Sequence, residues 1–540
     1  MKETDFNLLD EPWIRVMDES CSVRELSLTD VLIHAHEYKS LCGELPTQDV
    51  AVLRLLLAVL HTVFARVDAQ GNPHQLEDEE EAVNFWHELW KLKKLPEQPI
   101  HTYLNQWHEH FWLFHPERPF AQVAGLTYGT SYEAAKLNGE ISESSNKKRL
   151  FSSYFGAEKD GLTYAQAARW VLYLNAYDDT SAKPTKEGKA AAGGELPSPG
   201  AGWLGKLGLV YLCGNNLFET LLLNLVLVNQ GEVQNRASPI WEREVMPSRE
   251  RVEIIMADNL AELYTLQSRR ILLKRSEDRV VSYLLLGGDF FEKENAFFEP
   301  MTIWNVPKPA KNKPTIYTPK RHDSSKQMWR EFAVLYEHSD DKIAGVVRWF
   351  REFLADVLER SYVMKTAIAS VQYGDKDFFV KHIHSDFLTL HAGILSELGK
   401  SWRKDILNEI TKCEKLANAV GNLAKHLHIA EGGSDNSCES AVNTVKEQLY
   451  YRLDMPFREW LCSIDPDAEG EEKEKLLEQW QKTAQKIAFR YAQEQCEHAS
   501  DAAMTGHLIG RDDKKKVLYS APNAKQMFRG EVSKIYQKVK

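Results

Sequence analysis

The stretch Phe6-Asn7-Leu8-Leu9-Asp10-Glu11-Pro12-Trp13-Ile14-Arg15-Val16 joins an apolar pair to a turn-forming Asp-Glu-Pro and then to an extended segment. Trp13, Ile14 and Val16 are good strand formers, and Arg15 falls on the opposite side of a two-residue repeat. The local physics predicts an N-terminal strand docked on a core.

Outward from that strand, 540 residues with 43% hydrophobic and 10% aromatic content are enough for two or more domains with sizeable cores. No uninterrupted apolar run reaches the roughly 18 residues of a membrane span, and no signal-peptide segment follows Met1, so a soluble cytoplasmic protein is expected. The seven cysteines are scattered and form no Cys-x-x-Cys pair, which argues against a disulfide framework or a cysteine-rich zinc site.

A net charge of -11 argues at first against nucleic acid, because phosphates need Lys and Arg. The charge is uneven, however. Residues 301–322 carry Lys308, Lys311, Lys313, Lys320 and Arg321 without one acid, and residues 511–540, including Lys514, Lys515 and Lys516, hold nine cations against three acids. Such islands could meet a phosphate backbone while the rest of the chain repels it.

Apolar periodicity predicts helices at 49–65, 81–94, 163–174 and 345–362, and short strands at 271–274 and 280–286 in a small antiparallel sheet. The aromatic, twice proline-broken passage 111–123 reads as a helix end followed by a rigid turn. Residues 177–199, rich in Gly, Ala, Ser, Pro and Lys, read as a long loop. Beyond about residue 384 the pattern is helical, with amphipathic segments at 387–428, 438–462, 471–499 and 521–539 that suggest an antiparallel four-helix bundle. The expected fold is α+β: a mixed N-terminal domain of helices and small antiparallel sheets at 1–384, then a helical bundle at 385–540.

Signs of catalysis are weak. No Walker A loop, Gly-x-Ser-x-Gly or His-Glu-x-x-His is present. His108/His110, His382/His384 and His426/His428 could place two imidazoles together only on a strand, and none has an obvious third ligand. Asp178-Asp179 and Asp375/Asp377 could in principle bind Mg²⁺, but loop acids are usually caps or turns. The run Asn146-Lys147-Lys148-Arg149-Leu150-Phe151 allows two readings. It is a solvated turn anchored by Phe151, or a loop whose cations meet a backbone while Phe151 stacks or wedges.

The opening segment, His115-Pro116-Glu117-Arg118-Pro119-Phe120-Ala121-Gln122, the run from Trp203-Leu204-Gly205 to Leu225, and Glu299-Pro300-Met301-Thr302-Ile303-Trp304 together resemble the CasA family. This is the large subunit of type I-E CRISPR surveillance complexes (Cascade). The resemblance spans nearly the whole chain in short islands and implies a non-catalytic subunit without metal or cofactor. It also implies a protein that docks on guide RNA and the other Cascade subunits, reads the protospacer-adjacent motif (PAM) in double-stranded DNA, opens the duplex and recruits the helicase-nuclease.

Carried over position by position, the resemblance places the guide-RNA and docking loop at Asn146, Lys147, Lys148, Arg149 and Phe151. A small-residue PAM loop falls at Thr180, Ser181, Ala182 and Lys183, with alanine where relatives carry glycine. A lysine finger falls at Lys293. A wedge hairpin falls at Tyr373, Gly374, Asp375, Lys376 and Asp377, with Gly374 at the turn and Lys376 or Asp377 where relatives insert glutamine. The alternatives are a metal-dependent nuclease using His382 and His384, or a helical scaffold without DNA contact.

Overall fold

The computed structural model describes residues 3–127, 129–143, 148, 151–152, 154–180, 200–243, 257–289, 291, 293–294, 296–305, 315–337, 343–434, 437–509 and 516–537. The chain divides into two compact units. The first comprises Met1–Ser324, Val334–Val357 and Met364–Phe387, and the second comprises Ser325–Ala333, Leu358–Val363 and Leu388–Lys540.

The first unit is mixed helix and small sheet. Strand Ile14–Asp18 lies between Val23–Leu26 and Tyr38–Leu41, and Trp13, Ile14 and Val16 are buried as the alternation predicts. Trp13 also donates its indole N–H to Leu8 O at 2.9 Å, so the Asp-Glu-Pro turn is closed by a buried ring. Helix Pro46–Phe64 runs through the core with almost every side chain covered. By length and composition it could cross a bilayer, but 94% of it is buried within the protein. Proline at its first turn costs no hydrogen bond there, since the N–H it lacks would have had no partner.

Buried charge ties the unit together. Arg54, at the middle of that helix, makes a two-pronged pair with Glu299 at 2.8 and 2.9 Å, and its guanidinium lies 4.3 Å from the Tyr264 ring centre. Glu299 also accepts from Trp203 Nε1 at 2.7 Å and from Met301 N at 3.0 Å.

The second unit holds helices Lys400–Ala430, Glu439–Ser463, Gly470–Glu497 and Ala521–Tyr536. The first of these packs on each of the other three. An aromatic cluster fills the interior: Trp329 stacks on Phe457 at 4.5 Å and Trp460 on Trp480 at 5.4 Å. A two-stranded hairpin, His507–Ile509 with Val517–Tyr519, interrupts the helices.

Four local expectations are corrected. Residues 387–391 are not helical; they end a strand, Val380–His391, that neighbours Val363–Tyr373, and the long helix starts at Lys400. Pairing with a sheet partner outweighs local periodicity there. The passage after Phe111 is not a helix end but strand Trp112–Phe114, paired with Asp5–Asn7. The predicted helix 345–362 is α-helical over Gly345–Trp349, widens into a π-helix over Phe350–Leu354, with Ala355 N donating to Phe350 O at 2.8 Å, and ends there. Gly374 is not the strained residue of its turn: its φ is -72°, whereas Lys376 and Asp377 take φ of 54° and 57°.

Candidate nucleic-acid interface

Strand Val363–Tyr373 sits between Leu209–Cys213 and Val380–His391 in a three-stranded sheet. Its residues 366–371 are buried, so the strand is a fixed base for the connection to Val380. Within that connection Gly374 N donates to Phe379 O at 2.8 Å, and a Cβ on Gly374 would come within 2.4 Å of the Phe379 ring. A side chain at 374 would therefore have to displace the half-exposed Phe379 ring, and two consecutive left-handed residues, Lys376 and Asp377, complete the reversal. Such backbone, costly for non-glycine residues, persists only when the surroundings hold it.

The surroundings do so through a latch. Thr180 donates its backbone N–H to Asp377 O at 2.9 Å and its hydroxyl to Lys376 O at 2.6 Å. Arg321 grips the Asp377 carboxylate with both terminal nitrogens at 2.7 and 2.9 Å. Its Nε donates to Gly205 O at 2.7 Å, and its guanidinium lies 5.1 Å from the Tyr373 ring centre. Burial works against the Arg321 cation, but the Asp377 carboxylate more than compensates and holds its pKa above the ordinary value. Tyr373, its hydroxyl pushed well up by burial, donates to Tyr177 O at 2.8 Å.

The other end of this assembly is set by Arg269, which is fully buried. Its Nε donates to Asp178 Oδ2 at 2.5 Å, and one terminal nitrogen reaches Asp179 O at 2.9 Å and Gly200 O at 2.8 Å. Lys136 Nζ binds Asp179 Oδ2 at 2.9 Å. Residues 178–179 and Gly200 flank the 181–199 segment, so one buried guanidinium fastens both of its roots. The Asp178-Asp179 pair is therefore committed to Arg269 and Lys136, not to a metal ion.

These bonds bring together two elements the sequence placed separately, the flanks of the Ser181-Ala182-Lys183 loop and the 374–377 hairpin. Ser181, Ala182 and Lys183 themselves lie outside the described residues. At the hairpin tip Asp375 and Lys376 are exposed, and so are Phe378 and Phe379 at 44% and 41%. Asp377 is corrected as a candidate inserting residue because its carboxylate faces Arg321. Lys376 is the outward cation. Lys293 is exposed, two residues beyond Phe291, whose ring meets Trp203 edge-on at 4.4 Å.

The basic island at 301–322 divides. Lys308, Lys311 and Lys313 lie outside the described residues, Lys320 is half-buried with its N–H on Ile303 O, and Arg321 is corrected from a phosphate contact to the hairpin's strut. In the docking loop, Asn146, Lys147 and Arg149 lie outside the described residues, Lys148 is exposed, and Phe151 is 91% exposed. That exposure overturns the reading of Phe151 as a core anchor. The ring borders a groove that it shares with His382 of strand Val380–His391. Lys514 and Lys515 also lie outside the described residues, and Lys516 is exposed at the start of strand Val517–Tyr519.

His382 and His384 do fall on one face of a strand. Yet among the described residues no group of three or more His, Cys, Asp or Glu is placed to hold a metal ion. Sequence reasoning placed Thr180 and Tyr373 in the loop and wedge segments but gave them no role, and it missed Arg269; their partners lie 196 and 91 residues away. The Arg269-Arg270 pair at the head of a strand was the only visible signal.

The latch is testable. Arg321→Ala should cost no more than about 1 kcal/mol of global stability, because the pair with Asp377 is one-third exposed. It should nevertheless sharply accelerate hydrogen exchange at the Gly374 and Asp377 amides. Unchanged exchange at both amides would show that the hairpin stands without its strut.

Residues 7–491 match the family described as CRISPR-associated protein Cse1. The chain belongs to the Cse1 family. A CasA/Cse1 protein of Thermus thermophilus is 28% identical over 433 residues, covering 78% of this chain and 77% of that protein. The crystal structure of Thermobifida fusca Cse1 is 28% identical, with a TM-score of 0.80 over 98% of both chains. A chain of a CRISPR RNA-guided surveillance complex shares the fold at 16% identity, with a TM-score of 0.59 over 98% of this chain and 99% of that one. In this Cse1-family chain the mixed unit and the helical C-terminal region are thus parts of one family fold.

Proposed function

We propose that this Cse1-family protein is the non-catalytic large subunit of a type I-E Cascade complex. It docks on guide RNA and the other subunits through the loop ending at Phe151, and it reads the PAM in double-stranded DNA. It opens the duplex for RNA pairing and recruits the helicase-nuclease, in the cytoplasm. Its C-terminal helices, taken as an antiparallel four-helix bundle, hold the displaced strand. The single observation that carries this reading is the latch that makes the hairpin tip and the roots of the 181–199 segment one body, with Lys376 directed outward.

The physical fit is to a minor groove. That groove is narrow and its donor and acceptor code is degenerate, so it is read by close backbone approach, a cation and an inserted side chain. A short hairpin with a lysine at its apex, braced from behind, can enter such a groove without bending away. Once a short duplex tag is held, guide pairing can nucleate beside it, and protein specificity is confined to the tag.

The experiment is a PAM-library binding assay with the reconstituted complex. Lys376→Ala should weaken binding of PAM-bearing duplex about tenfold, a difference of about 1.4 kcal/mol. Binding of a pre-melted target should change little. If the wild-type complex binds duplexes with and without a PAM equally, the reading fails.

A further inference from the structure

Arg54 lines a cavity of about 40 Å³ inside the first unit, walled by helix Pro46–Phe64, helix Tyr164–Tyr177 and residues 263–267. Most of the wall is apolar. Three of its side chains, however, carry a buried polar atom that meets no hydrogen-bond partner among the described residues: Arg54 Nε, Tyr264 Oη and Gln267 Oε1. The three residues are 1%, 7% and 3% exposed, so bulk water does not reach them. Native cores pair nearly all such atoms, because leaving one unmade forfeits its hydration for nothing.

None of the three is at liberty to turn elsewhere. The terminal nitrogens of Arg54 are committed to Glu299 and to Leu263 O, which fixes where Nε points. Its guanidinium also lies 4.3 Å from the Tyr264 ring centre. Gln267 is pinned through its backbone oxygen, which accepts from Asp289 N at 2.7 Å and from Arg270 Nη1 at 3.2 Å. Burial raises the pKa of Tyr264, so its hydroxyl stays protonated and can both donate and accept.

Size and charge restrict the occupant. A cavity that admits benzene measures about 150 Å³, so an aromatic ring or a nucleobase does not fit here. Nor is an anion called for, because Glu299 already balances the Arg54 charge. Water satisfies both limits: it needs about 10–15 Å³ and two to four polar partners. Arg54 Nε donates, Gln267 Oε1 accepts and the Tyr264 hydroxyl does either, which matches the two donors and two acceptors of a water molecule.

We infer that this cavity is a built hydration site, holding about one to three waters hydrogen-bonded to Arg54 Nε, Tyr264 Oη and Gln267 Oε1. The site joins the Arg54–Glu299 pair to the approach to Arg269. Gln267 precedes Arg269 by two residues, and Asn175, on the same wall, accepts from Arg269 N at 3.2 Å. Phe120, Ala121, Ile240 and Gln267 also line a neighbouring cleft that carries the exposed Glu117 and Arg118, which gives the waters a route of exchange with solvent. The inference is independent of the proposed function.

The test pairs a crystal structure of the full chain, at a resolution that shows ordered water, with denaturant unfolding of Tyr264→Phe. In the wild type, water density is expected about 2.7–3.2 Å from at least two of the three atoms. A cavity without such density overturns the inference. Tyr264→Phe keeps the ring and removes only the hydroxyl. With a water bound there, the variant should raise the unfolding equilibrium constant of the first unit about two- to tenfold. In a dry cavity the same change removes an unpaired buried atom, so an equal or lower constant also overturns the inference.

Discussion

Arg269→Met is expected to lower the stability of the first unit by about 3–5 kcal/mol, because it leaves a carboxylate buried without its cation. Arg269 and Asp178 are each 1% exposed, so water cannot replace the lost partner. Methionine fills much of the same volume, which keeps the loss electrostatic rather than a cavity effect. The same side chain donates to Asp179 O and Gly200 O, so two backbone acceptors are stranded as well. Denaturant titration gives the magnitude. The pairwise origin is checked by adding Asp178→Leu, which should recover part of the loss; a double variant less stable than Arg269→Met would show that the carboxylate was not the cause. Since Arg269 holds both roots of the 181–199 segment, the proposed function carries a further expectation: the variant complex should lose PAM discrimination at temperatures where it remains folded.

Arg54→Met is the second large effect, again about 3–5 kcal/mol. Arg54 and Glu299 are 1% and 0% exposed, and the pair joins the core helix to the segment before Met301. Its removal leaves Glu299 with the neutral donors Trp203 Nε1 and Met301 N, which do not balance a full charge. A Glu299→Gln change in the same background should restore part of the stability, because an amide is far less costly to bury than an unpaired carboxylate. Equal midpoints for Arg54→Met and wild type in denaturant would refute the assignment. Trp203 also meets Phe291, two residues before Lys293, so the variant should loosen the Lys293 segment before the unit as a whole unfolds.

These two arginines show why much of the site was hidden from sequence reading. Arg54 sits in an apolar helical run where a charge looks out of place, Arg269 sits beside a second arginine at the head of a strand, and their partners lie 245 and 91 residues away. Periodicity reports which face of an element is apolar; it does not report which distant carboxylate a buried cation meets. By contrast, the core helix Pro46–Phe64 and the helix Tyr164–Tyr177 were legible within a few residues, because a start signal and a continuous apolar pattern are local properties. Strand Val380–His391 was half missed for the opposite reason. Its stability comes from a sheet neighbour, and local helical spacing at 387–391 carried no trace of that.

The sequence alone determined the family-bearing core: the Trp13 strand, the islands around Gln122, Trp203 and Glu299, and the run of C-terminal helices. Those features depend on neighbours within a turn or a strand, which the order of residues states directly. Tertiary structure decided that Asp377 is held by Arg321 while Lys376 points out, and that Thr180 ties the hairpin to the 181–199 roots. It also decided that Arg54, Tyr264 and Gln267, from separate elements, line one cavity. The physical reason is the same in each case: a charge takes its meaning from what lies within a few ångströms, and folding chooses those neighbours from far along the chain.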